Sequence, residues 1–61
     1  ASPTPRQESI IGRAEAELAL LRETAVVLAA SAETVKPMVR DSIRAGMLRL
    51  EDLTKELGTA E

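Results

Sequence analysis

The stretch Leu28-Ala29-Ala30-Ser31-Ala32-Glu33-Thr34-Val35-Lys36-Pro37-Met38-Val39 decides the fold. Pro37 has no amide hydrogen to give to a helix and biases Lys36 away from helical geometry, so a helix arriving from the N-terminal side should stop before it. Thr34 is a natural N-cap for a second helix, and it would leave Pro37 in the first turn, where a missing donor costs little. The chain then reads as a helical hairpin with its connection at 31–36. The rival is one long helix kinked at Pro37, because no glycine marks a turn between Ala25 and Val35.

On the N-terminal side, 6–30 is rich in the strong helix formers Ala, Glu, Arg and Leu. Pro5 stands where a helix can begin, and only Gly12 weakens the run. Ile11, Ala14, Leu18, Leu21, Ala25, Leu28, Ala32 and Val35 are spaced alternately three and four, an a/d heptad stripe. Leu20 and Val27 lie beside it and Ile10 flanks it, so the apolar arc is wider than a two-stranded seam and calls for more than one neighbouring helix. Residues 1–5, with Ser2, Pro3, Thr4 and Pro5, read as a disordered leader or linker. A chain that starts with Ala rather than Met points to processing or to a segment of a larger protein.

On the C-terminal side a helix over 35–57 carries Val39, Ile43, Gly46, Leu50, Leu53 and Leu57 on one stripe, with Gly58 as its stop. Gly46 marks either a close helix crossing or a break after Arg44-Ala45-Gly46. The unbroken heptad phase favours the continuous helix. The helical domain is thus 6–58, and 59–61 is a frayed tail.

Composition limits how these helices can be supported. Sixty-one residues form at most one domain. A chain of this size buries only about 60% of the surface its unfolded form exposes, and it usually needs a disulfide, a metal or oligomerisation. Cys and His are both absent, which removes disulfides, thiolate and imidazole metal sites, and Cys or His nucleophiles and bases. Phe, Tyr and Trp are absent too, so the core is Leu, Ile, Val, Met and Ala, which suits thin interdigitating layers between helices. A hairpin alone would leave half of each layer wet. The expectation is an all-α homodimer in which two hairpins form an antiparallel four-helix bundle. Its core and interface would be Ile11, Leu18, Leu21, Leu28, Val39, Ile43, Gly46, Leu50, Leu53 and Leu57.

The charges suggest a direction for the second copy. Lys36, Arg40, Arg44 and Arg49 fill the first two thirds of the second helix with Asp41 the sole acid, whereas Glu51, Asp52 and Glu56 crowd its end, against the helix dipole. If two hairpins pack with loops at opposite ends, basic halves lie level with acidic ends, and Glu15 and Glu17 approach Arg40 and Arg44. With loops at the same end, acids gather at the open end and repel. The plainer alternative is a solvated surface with Glu51 and Lys55 as an ordinary i,i+4 pair. A phosphate-binding stripe of Lys36, Arg40 and Arg44 ranks well below both, for want of stacking aromatics or a basic total. Val26, Met38 and Leu48 lie off the main stripes and permit a second contact surface, unless a bend at Gly46 turns Leu48 back to the core.

No pattern for chemistry is present. The carboxylates lie on helix faces with no His, Cys or aromatic wall to shift a pKa, and no P-loop, dinucleotide or EF-hand spacing occurs. No catalytic, metal or cofactor residue is expected, and an enzyme is not expected. A formal charge of −2 gives no field for nucleic acid. The longest apolar run, Ala25 to Ala30, is far short of the roughly eighteen residues of a membrane span, and no signal peptide stands out, so a cytoplasmic location is the default.

The tail Arg49-Leu50-Glu51-Asp52-Leu53-Thr54-Lys55-Glu56-Leu57-Gly58-Thr59 resembles the first helix and turn glycine of many helix-turn-helix DNA-binding domains. That resemblance implies a fragment of a regulator, with the recognition helix expected beyond Glu61. Three functions are expected, in order. First is an association module, a homodimerisation or docking domain of a larger protein or multienzyme. Next is a helical adaptor for a different protein's helix, and last a fragment of a helix-turn-helix regulator.

Overall fold

Helix formation begins earlier than composition suggests, because Thr4 and Gln7 form a reciprocal cap. In the computed structural model, which describes residues 2–60, the Thr4 hydroxyl accepts from the Gln7 amide at 3.2 Å, and the Thr4 amide donates to Gln7 Oε1 at 2.8 Å. Pro5 occupies the first helical position, where its fixed φ fits and its missing donor would be unused. Helix α1 (Pro5–Ala30) therefore starts inside the segment expected to be a disordered leader. Ala1 and Glu61, the outermost residues of that leader and of the tail, lie outside the described residues.

Helix α1 ends at Ser31, whose amide donates to the Leu28 carbonyl at 3.2 Å and whose hydroxyl donates to the Val27 carbonyl at 2.6 Å. The chain then reverses. The Ala32 carbonyl accepts from the amides of both Val35 and Lys36, at 2.9 and 3.2 Å, and Val35 rather than Thr34 becomes the N-cap of α2 (Lys36–Thr59). Val35 offers no side-chain cap, so the second helix opens without the hydroxyl that Thr34 was expected to supply. Among the described residues no backbone φ is positive, so this turn is built from ordinary conformations and needs no glycine. That is how a hairpin forms here without the usual turn signal.

Helix α2 is continuous through Gly46 and through Gly58, ending at Thr59. The described residues are thus all-helical, two helices packed against each other with no strand. They run antiparallel: Gln7 reaches Ala60, Arg13 reaches Glu56, and Leu21 lies against Gly46. The segment that resembles a helix-turn-helix opening is the distal half of α2, and its Gly58 lies within the helix rather than at a turn.

The seam matches the expected stripe on α2 and departs from it on α1. On α2, Val39, Ile43, Gly46, Leu50, Leu53 and Leu57 are all covered to some degree, and Gly46 and Leu53 are buried. On α1 the covered positions are Gln7, Ile10, Ala14, Glu17, Leu21, Thr24, Leu28 and Ser31, so only Ala14, Leu21 and Leu28 of the expected stripe face inward. Ile11, Leu18 and Ala25 stay exposed. The cause is the width of the apolar arc. Helix α2 packs on its middle, a rotation of about half of the 100° residue step from the expected seam. That position leaves Ile11 and Leu18 on one shoulder and Leu20 and Val27 on the other.

Gly46 explains why the helices approach closely. A Cβ placed there would stand 2.6 Å from Leu21 Cδ2 and 3.2 Å from its Cγ, so Leu21 fills the space a side chain would need. At the open end Ile10, Leu53 and Ala60 are buried together, with Ala14 and Leu57 packed against them. Gln7 donates from Nε2 to the Ala60 carbonyl at 2.9 Å, which ties Ala60, within the tail expected to fray, onto the start of α1.

The result is a rod 47 by 15 by 12 Å with a radius of gyration of 14.4 Å. A compact domain of this length has a radius near 10.5 Å. Its accessible surface is 4661 Å², whereas a folded monomer of 6.5 kDa is expected to expose about 3,800 Å². Two helices make one layer, and that layer has two uncovered sides.

Candidate association face

The two sides of the hairpin differ in chemistry. On one side, a groove at the open end is lined by Ile10, Ile11, Ala14, Leu18, Leu50, Leu53, Thr54 and Leu57, with Glu15 its only charged member. Along α2 the same side continues through Ile43 and Met47, flanked by Arg40, Arg44, Leu48 and Glu51. Met47 follows Ile43 by four and precedes Leu50 by three, the spacing that keeps it on this face. Ile11, Leu18, Met47 and Leu48 are exposed large apolar side chains, and Ile43, Leu50 and Leu57 are only partly covered.

The opposite side is bridged by ion pairs. Arg49 donates from Nε to Glu17 Oε1 at 2.8 Å, and its Nη2 stands 2.6 Å from the same oxygen as an ion pair. Arg13 meets Glu56 at 3.4 Å. Asp52, Leu20 and Ala16 complete this polar groove. The Glu17 carboxylate is 16% exposed, and its pKa is lowered from the usual 4.5, chiefly because Arg49 donates to it; Coulombic attraction adds to that and partial burial opposes it. Toward the loop the same side opens into a second apolar groove of Leu20, Val27, Met38 and Val39 with Glu23, Thr24 and Ser42.

These placements redistribute the charges expected to orient a second copy. Glu17 and Glu56 are engaged within the chain, and Asp52 lies beside them on the bridged side. Glu15, Arg40, Arg44 and Glu51 remain on the edges of the apolar face. Arg44 reaches Asp41 only at 4.0 Å and Glu51 reaches Lys55 at 3.8 Å, both loose and solvent-exposed. The dipole conflict of α2 is partly relieved within the chain, since Glu33 pairs with Lys36 at 2.8 Å and Arg13 with Glu56. Val26, Met38 and Leu48 are not brought together: Met38 joins the second groove, Leu48 lies on the outer edge of α2, and Val26 faces solvent on α1.

Two features escaped sequence reasoning, and only the first had a signal in the sequence. The Thr4-Pro5-Arg6-Gln7 order is a capping box with proline at its first helical position, hidden by the linker-like composition around it. The Arg49–Glu17 pair requires the rotated phase of α1, which only packing decides.

Among the described residues no cluster of three or more acidic, His or Cys groups is placed to hold a metal, and no helix is long and apolar enough to cross a membrane. The face offers apolar contact with charged edges, the chemistry of a helix-packing surface. No protein-family model matches this chain, and no curated protein or solved structure is significantly similar to it.

Proposed function

We propose that this chain is a protein association module that completes a four-helix bundle with a second copy of itself, as a homodimerisation or docking domain of a larger protein or multienzyme. The observation that carries this reading is the open apolar face running from Ile11 and Leu57 to Ile43. The excess of surface over a compact monomer, roughly 800 Å², equals one partner's share of a standard-size interface. No catalytic residue, cofactor or metal enters the proposal.

A helical adaptor is the second reading. The groove of Leu20, Val27, Met38 and Val39 supports it, because it lies on the side a homodimer would leave open and has the apolar lining that a foreign amphipathic helix would use.

Leu50→Asp tests the first reading. Leu50 belongs both to the seam and to the open face, so a charge there should abolish association and, because folding and association are one event, helicity as well. A mutant that stays helical while losing association would favour the adaptor.

A further inference from the structure

The bundle reading leaves open which side of the hairpin meets the second copy and in which direction. Resting on that reading, we infer that two copies meet through the face of Ile11, Leu18, Ile43, Met47, Leu50 and Leu57, about a two-fold axis at the level of Leu18, with their loops at opposite ends. A pair of heptad-spaced charges on each helix sets that register.

The levels along the rod follow from the contacts between the helices. Leu21 lies against Gly46 and Gln7 against Ala60, so each step up α1 is one step down α2. Leu18 is therefore level with Arg49, between Met47 and Leu50. Loops at opposite ends place each helix antiparallel to its own counterpart. Turning α1 about Leu18 sets Leu18 against itself and Ile11 against Ala25 of the second copy. Turning α2 about the midpoint of Met47 and Leu50 sets those two against each other, and Ile43 against Thr54. Both apolar registers share one level.

The charges give the same level independently. Glu15 and Arg22 lie one heptad apart on the outer edge of α1, and Arg44 and Glu51 one heptad apart on the outer edge of α2. A two-fold between Leu18 and Ala19 brings Glu15 to Arg22 of the second copy. One between Met47 and Leu48 brings Glu51 to Arg44. All four placements of the axis agree within about 2 Å along the rod, at 1.5 Å per residue. Glu15 and Arg22 make no ion pair among the described residues, and Arg44 and Glu51 make only the loose pairs to Asp41 and Lys55, unlike the bridged side.

Loops at the same end would place α1 over α2 of the second copy. Glu15 and Glu51 stand at nearly one level, as do Arg22 and Arg44, so that arrangement sets acid on acid and base on base. Edge charges of this kind choose orientation and register more than they create affinity.

The test uses sedimentation for affinity and paired spin labels for direction. Glu51→Arg should weaken dimerisation by about 2- to 30-fold, the effect of losing two exposed pairs, and adding Arg44→Glu should restore it. The same single change would tighten a same-end dimer. Spin labels at Glu33→Cys, beside the loop, should lie about 40 Å apart, because each stands roughly a dozen or more helical residues from the axis. Leu18 and Leu20 are 45% and 50% exposed on opposite sides. Leu18→Arg should dissociate the dimer and Leu20→Arg should leave it intact. A dimer with loop labels closer than about 25 Å, the thickness of two stacked helical layers, overturns the inference alone, as does dissociation by Leu20→Arg and not Leu18→Arg. A monomer at every concentration removes the association reading with it.

Discussion

Replacing Gly46 by Ala should give no gain in stability and up to about 2 kcal/mol of loss, although helix propensity predicts a gain. Glycine inside a helix costs about 0.8 to 1.0 kcal/mol relative to alanine, so at an unconstrained site the change stabilises. Gly12 is such a site, with no neighbouring atom within 4 Å of an added Cβ. At Gly46 the added atom would stand 2.6 Å from Leu21 Cδ2 and 3.2 Å from its Cγ, with Glu17 Oε1 at 3.4 Å. Rotating the Leu21 tip does not relieve the Cγ contact, so the helices must separate or Leu21 must leave its rotamer. Overpacking of this kind costs about 1 to 3 kcal/mol, which equals or exceeds the propensity gain and leaves a net loss of up to about 2 kcal/mol. Separation would also lengthen the Arg49–Glu17 bonds. Thermal unfolding followed by circular dichroism at one fixed protein concentration compares the two variants directly. Gly12→Ala should raise the midpoint by about 4 to 8 °C, and Gly46→Ala should leave it unchanged or lower it by up to twice that. Equal increases in both variants would refute the close crossing and the seam built on it.

The Glu17 carboxyl, lowered by Arg49, makes stability depend on acid. A folded pKa below the unfolded one contributes stability that is present above about pH 4.5 and is lost as pH falls through the lowered value. Urea midpoints between pH 7 and pH 3 should therefore drop in the acid range, and Glu17→Gln should flatten the profile; parallel profiles would contradict the assignment. Gln7→Ala removes the side-chain half of the reciprocal cap, the bond that Gln7 Oε1 accepts from the Thr4 amide, and the bond to Ala60; it should cost about 1 kcal/mol and speed amide exchange at the end of α2. Protection unchanged there would show that the clasp contributes nothing. Arg13 and Glu56 are 60% and 39% exposed, so a double-mutant cycle should find less than about 1 kcal/mol of coupling between them.

How far the structure was legible in the sequence depends on the width of each apolar pattern. On α2 the large apolar residues from Val39 to Leu57 fall on one stripe, with Met47 and Leu48 outside it, and the seam falls where the spacing puts it. On α1 Ile10, Ile11, Leu18, Leu20, Leu21 and Val27 spread over more than half the circumference, so the pattern alone does not fix the phase. Which one forms depends on Gly46 admitting Leu21, a contact between residues 25 apart in the chain. The charge readings inherit the same ambiguity. Glu17 is an edge residue in the expected phase and a seam residue in the observed one, which is why it pairs with Arg49 instead of facing outward. The ends were hidden for another reason. Proline and small polar residues near Thr4 suit a linker and a capping box equally, and only the reach of Gln7 to Ala60 separates the two. At the loop, the double acceptor at Ala32 makes a turn that no glycine announces.

The central claim is that the open face is filled by a second copy. Sedimentation equilibrium of the unmodified chain across a concentration series tests it most directly. The predicted result is a species of twice the 6.5 kDa chain mass that loses helicity as dilution dissociates it. A folded helical monomer throughout the series would contradict the claim.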